Sequence, residues 1–202
     1  MPATGPTRLI VAITGASGAI YGIRLLEVLK GLAGIETHLV LTRAGERTIV
    51  EETDWVPRDV RALAHASYRP DDIGAAIASG SFATGGMIVA PCSVNTLAGI
   101  AYCAADTLVT RAADVVLKER RRLVLLLRET PLHRGHIAAM LAATEAGAVV
   151  MPPVPAFYNR PRTVADLVDH TVGRALALFG IDAGLVRPWT GGIAARDRQE
   201  EA

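Results

Sequence analysis

The chain has 202 residues, half of them hydrophobic, which is enough to bury the core of one sizeable domain. Lysine and arginine total 21 against 20 acidic residues, so a net charge of +1 supplies no global field for nucleic acid or an anionic membrane, and any anion has to be captured locally. Two cysteines, Cys92 and Cys103, exclude a disulfide framework. Met1–Thr7 lacks a signal-like apolar core and no uncharged apolar run nears the ~20 residues of a membrane span, so the expectation is a soluble, cytoplasmic protein.

In chain order, residues 1–7 read as a flexible lead. Arg8–Thr14 is an apolar strand that enters Gly15-Ala16-Ser17-Gly18 and then, from about Ala19, a helix carrying Ile20, Ile23, Leu25, Leu26 and Leu29. Glycines allow close backbone approach, a helix N-terminus offers unpaired N–H groups and Ser17 adds a hydroxyl. The turn therefore suits a phosphate or the edge of a flavin, with a ligand-free tight turn as the alternative. It departs from GxGxxG, and Thr42-Arg43 follow the second strand, Thr37–Leu41, where NAD would want an acidic residue. The Tyr-x-x-x-Lys pair of a short-chain dehydrogenase is missing: Tyr21, Tyr68, Tyr102 and Tyr158 are followed four residues later by Leu25, Asp72, Asp106 and Arg162.

A helix from about Ala44 leads to residues 55–81, which mix Pro57, Pro70 and charges and read as an irregular excursion over the sheet edge. The next strand, Met87–Cys92, ends in Ala90-Pro91-Cys92-Ser93-Val94-Asn95-Thr96, small polar groups at the carboxyl edge, where open α/β sheets bind ligands. Ser93 and Thr96 serve equally well as caps of the helix from about Thr96. Cys92 has no base partner and reads as a buried small residue. A helix from about Thr107 closes in Lys118-Glu119-Arg120-Arg121-Arg122, cations that complement its dipole. Strand Leu123–Leu127 delivers Arg128-Glu129 to the carboxyl edge, either as a site or as a solvated loop pair.

His133 and His136 flank the start of a helix from about Gly135, without the cysteine or carboxylate support a metal site needs. Strand Ala148–Met151 runs into a rigid proline-rich stretch that places Phe157 and Tyr158; Tyr158 either closes over an apolar ligand or packs between subunits. A last helix follows the capping hydroxyl of Thr163, and residues 191–202 form a charged, mobile tail. Strands alternating with helices predict an α/β fold, a three-layer, Rossmann-like open parallel sheet with helices on both faces, as one domain over residues 8–190.

The segments TGASGAIYGIRLLE, APCSVNTLAGIA, RAADVVLKERRRLVLLLRETPL, PPVPAFYNRP and DLVDHTVGRAL, in this order, closely resemble the UbiX-type flavin prenyltransferases, formerly described as aromatic acid decarboxylase subunits, from about Ile10 to Trp189. The resemblance implies that FMN, reduced and acting as acceptor substrate, is held by Gly15, Ala16 and Ser17, by Thr42 where many members carry serine, by Ser93, Val94, Asn95 and Thr96, and by Arg128. It implies a dimethylallyl phosphate site at Lys118, Tyr158 and Arg174, with Glu129 near the reacting centre and Glu52 and Trp189 as further pocket positions. It also implies a homododecamer with pockets between subunits, no metal, and a UbiD-type decarboxylase as recipient of the prenylated FMN. A flavin-dependent cysteine decarboxylase is the nearest alternative, but ETPLHRGHIAAM stands where its PxMNxxMW signature would be; a non-catalytic flavin-binding subunit of a decarboxylase complex is the other.

Overall fold

The computed structural model describes residues 6–186 and Trp189; the expected mobile tail at 191–202 lies outside them. Among the described residues six strands form one fully parallel sheet: β1 (Thr7–Ile13), β2 (Ile35–Leu41), β3 (Ala66–Tyr68), β4 (Gly86–Cys92), β5 (Arg122–Leu127) and β6 (Val149–Val150), in the spatial order β3-β2-β1-β4-β5-β6. Thr7, expected in the flexible lead, already pairs with Ile35 in the ladder, and residues 1–5 of that lead lie outside the described residues. Seven helices among the described residues cover the two faces: α1 (Ala19–Lys30), α2 (Arg43–Glu52), α3 (Pro57–Arg61), α4 (Val94–Ala101), α5 (Leu108–Lys118), α6 (Arg134–Glu145) and α7 (Val164–Ala177).

Alternation along each strand decides which helices go where. Ile10, Ala12, Met87, Val89, Leu123 and Leu125 point to one face and pack with buried residues of α4, α5 and α6. Leu9, Val11, Ile13, Ile88, Ala90, Val124 and Leu126 point to the other and pack with α1 and α7. Burial on both faces explains why the central strands read as continuous apolar runs, and it makes the three-layer order the only way to hide them.

Most helices start on a side-chain oxygen. Thr42 accepts from the Gly45 N–H at 3.0 Å, Ser93 from Thr96 at 3.2 Å, and Thr107 and Thr163 form reciprocal capping boxes with Thr110 and Asp166. Beyond α5 the cations do more than balance a dipole: Arg121 donates to the carbonyls of Phe82 and Gly80, tying the turn to the loop before β4. The stretch 55–81 is more regular than its sequence suggests, since it holds α3 and the edge strand β3, which pairs with His38–Val40. No helix among the described residues is long and apolar enough to cross a membrane.

Candidate active site

All parallel strands present their carboxyl ends to one edge, and there the loops after β1, β2, β4 and β5 surround a cleft of about 1500 Å³. Gly15, Ala16, Ser17, Thr42, Ser93, Val94, Asn95, Thr96, Arg128 and Glu129 all line it, so one chain brings together every residue expected to hold flavin, plus Glu129. Thr14 ties two of these loops: its hydroxyl donates to the Pro91 carbonyl at 2.8 Å and accepts from the Ser93 N–H at 2.9 Å. Pro91 has no N–H to give the ladder, and the β4–β5 register shifts beside it, freeing the backbone that turns into α4.

The glycine turn is built for close approach. A side chain at Gly15 would collide with Ala44 of α2, and Gly18, at φ 99°, takes a left-handed conformation that other residues adopt at a cost. Gly18 carries no capping side chain. Instead the carboxylate of Glu52, from the end of α2, accepts the Gly18 N–H at 2.7 Å and the Ala19 N–H at 3.2 Å. Burial pushes the Glu52 carboxyl up, but hydrogen bonds from the Ser17 hydroxyl and these two N–H groups, with the nearby charge of Arg128, outweigh it and hold the group below its ordinary value. The first N–H groups of α1, which the sequence offers to a phosphate, are thus already occupied by an anion of the chain itself.

Two cations in the cleft, Arg43 and Arg128, take part in none of the ion pairs among the described residues, whereas Arg61 is paired with Glu46 and Arg69 with Asp71. Unpaired guanidinium groups beside backbone N–H groups and an apolar wall match an anionic, partly aromatic ligand, and FMN fits that description. The hydroxyls of Thr42 and Ser93 are already engaged in capping, so they contribute to a ligand only through what those bonds leave free. Cys92 is fully buried and its thiol is pushed up to about 12 by burial, which removes it as a nucleophile. His133 and His136 lie with their rings tilted at 35° and their centres 3.6 Å apart, and no group of three or more metal-binding side chains occurs among the described residues.

The remaining expected residues stand elsewhere. Tyr158 donates or accepts a 2.9 Å hydrogen bond with His170 on α7 and meets the Trp189 ring edge-on at 5.7 Å. The pKa of His170 is lowered by burial and by the charge of Arg174, so Tyr158, Trp189, His170 and Arg174 form a second cluster, and none of them lines the cleft. Lys118 is paired with Glu119 at 2.6 Å. It ends α5 just before β5 begins, at the amino edge of the sheet, so the full length of β5 separates it from the cleft. One chain therefore divides the expected site into three groups. Residues missed at the sequence level include Thr14, whose clue is its place after an apolar strand, and Tyr68, on an edge strand the apolar pattern does not mark.

The flavoprotein family matches residues 3–176. The flavin prenyltransferase UbiX of Escherichia coli (strain K12) is 58% identical over 174 residues, 86% of this chain and 92% of that protein. UbiX of Thauera aromatica is 52% identical over 184 residues, covering 91% and 94%. A crystal structure of AnUbiX (PadA1) in complex with FMN and dimethylallyl pyrophosphate superposes with a TM-score of 0.91 at 51% identity, over 93% of this chain and 99% of that one. That of a dodecameric FMN-dependent UbiX-like decarboxylase from Escherichia coli O157:H7 gives 0.90 at 52%, over 92% and 100%. With its cleft at the switch in strand order and these relatives along most of its length, the chain belongs to the flavoprotein family, as a UbiX-type flavin prenyltransferase.

Proposed function

We propose that the chain joins a dimethylallyl group from dimethylallyl phosphate to reduced FMN, giving prenylated FMN for a UbiD-type decarboxylase. The observation that carries this reading is the cleft, in which the glycine turn, the Ser93–Thr96 loop and the unpaired Arg128 converge beside Glu129. Bound reduced FMN supplies the nucleophile, its N5 and C6 accepting the five-carbon unit to close a fourth ring. Gly15, Ala16, Ser17, Thr42, Ser93, Val94, Asn95, Thr96 and Arg128 hold and orient the flavin, which removes much of the entropy cost of bringing two reactants together. Lys118, Arg174 and the Tyr158 hydroxyl stabilise the phosphate as the allylic carbon–oxygen bond breaks and the electron pair leaves with it. Glu129 takes up a proton that the alkylated ring gives away, Glu52 keeps the turn and Ser17 in place, and Trp189 shields the apolar tail.

Three separated groups cannot serve one reaction within a single chain, so the site is completed between copies, in a homo-oligomer we infer to be a dodecamer. Exposed Val154, Phe157, Tyr158 and Trp189 supply an apolar surface for that contact. No nucleic acid and no membrane is involved, and the protein works in the cytoplasm. Anaerobic incubation with reduced FMN and dimethylallyl phosphate, followed by mass analysis of the flavin, tests the reading. A gain of one C5H8 unit is expected; unmodified flavin would leave a binding role only.

A further inference from the structure

A chain of polar side chains runs across one face of the sheet into the wall of the cleft. The register sets Arg8 opposite Glu36 and Val40 opposite Tyr68, so Arg8, Glu36, His38 and Tyr68 follow one another diagonally over β1, β2 and β3 on the same face. Arg8 Nε donates to Glu36 Oε2 at 3.2 Å, Glu36 Oε1 lies 3.0 Å from His38 Nε2, and His38 Nδ1 lies 2.9 Å from the Tyr68 hydroxyl. His38 is only 3% exposed, with the Phe82 ring edge-on at 5.2 Å and the Arg8 guanidinium 4.7 Å over that ring. Tyr68 lines the cleft.

Hydrogen-bond chemistry gives this chain one polarity. The Glu36 carboxylate only accepts, so His38 Nε2 carries the proton and donates to it. A neutral imidazole protonated there has an acceptor at Nδ1, and the Tyr68 O–H must donate to it. The tyrosine oxygen then has nothing but lone pairs to offer the cleft. A phosphate, which also brings only acceptors, is repelled there, while a hydroxyl or a ring N–H is welcome.

We propose that Tyr68 is a specificity-determining residue of the flavin cleft, its oxygen accepting a hydrogen bond from a donor group of the bound flavin, with Arg8, Glu36 and His38 as the positioning residues that fix this polarity. The inference rests on the flavin reading given above. The groups that face His38 are Glu36 on its own strand, Arg8 on β1, and His65 and Tyr68 from the segment of β3, with Asp72 beyond Tyr68. Burial lowers the pKa of His38 and Glu36 opposes this, so the imidazole is neutral at physiological pH. Protonation at lower pH makes both ring nitrogens donors, and the Tyr68 hydrogen swings toward the cleft.

Riboflavin is the probe, because it has no phosphate to titrate, and its quenched fluorescence on binding reports Kd. At about pH 8, Tyr68→Phe is expected to weaken binding about tenfold, His38→Leu, which takes away the acceptor that keeps the Tyr68 hydrogen out of the cleft, to do the same, and the double variant to be no worse than either, since both remove one bond. Wild-type affinity is expected to fall as pH drops through the titration of His38, below about 6.5, while Tyr68→Phe shows no such fall. Lumiflavin, which keeps the ring and lacks the polyol, separates the donors: an equal loss assigns a ring N–H and no loss assigns a polyol hydroxyl. Tyr68→Phe within roughly twofold of wild type, or variants that multiply toward a hundredfold, would overturn the role of Tyr68. Should His38→Leu fail to fold, the pH profile of Tyr68→Phe decides alone. Wild-type protein that binds neither FMN nor riboflavin overturns the flavin reading itself.

Discussion

Glu52 is placed where two helix dipoles act on its charge in opposite directions. It ends α2, where a carboxylate meets that helix's own unpaired carbonyls, yet its oxygens rest on the first N–H groups of α1, where a negative charge is stabilising. The Gly18 N–H bond is short, at 2.7 Å, and the carboxyl is held below its ordinary value, so the α1 contact wins. A depressed folded value means that the stabilisation is complete above the unfolded carboxyl's range and is lost as pH falls through the folded one. Glu52→Gln keeps an acceptor and removes the charge. It is expected to lose about 0.5 kcal/mol at neutral pH, a small figure because the group is largely exposed. Urea unfolding at successively lower pH is expected to show wild type and variant converging; a gap that widens toward acid would assign the stabilisation to another group.

At the scale of elements, α7 shows how far local chemistry determines an end. Thr163 accepts from the Asp166 N–H at 3.1 Å while the Asp166 carboxylate accepts from Thr163 at 2.9 Å, closing a capping box. Thr163→Ala is expected to cost about 1 kcal/mol and to lower the thermal midpoint by about 2–4 °C, measured by calorimetry. That cap is readable from sequence because donor, acceptor and helix lie within four residues. The central strands are readable for a related reason: Leu9–Ile13 and Met87–Ala90 are buried on both faces and leave unbroken apolar runs. Strand β3 escapes both rules. It has three residues, lies at the sheet edge and owes its existence to pairing with His38–Val40, a contact some 28 residues away that no local pattern records. The same limit hides the line from Arg8 to Tyr68, since residues on three strands become neighbours only through register.

Across the whole molecule, what sequence reasoning could place depended on whether topology returns a residue to the carboxyl edge. Loops after β1, β2, β4 and β5 all return there, which is why the expected flavin-binding residues meet in one cleft. Lys118 sits at the opposite edge and Tyr158 with Arg174 against α7, and only a resemblance, not local physics, grouped them with the rest. The proposal that the site is shared between copies gives a sharp expectation. Glu129→Gln and Tyr158→Phe, each inactive alone, should recover roughly a quarter of wild-type turnover when co-expressed and randomly mixed, because some pockets then receive both intact residues from different chains. Mixed oligomers that stay inactive would place both groups in one subunit. Finally, the anion parked on α1 bears on how such a protein handles a flavin it must surrender after every cycle. Glu52 ties down the Gly18 and Ala19 N–H groups from within the chain, so the form of the berth is set by the protein's own carboxylate. A protein that lends its flavin a scaffold of its own making can let the finished product go without having to refold before the next one docks.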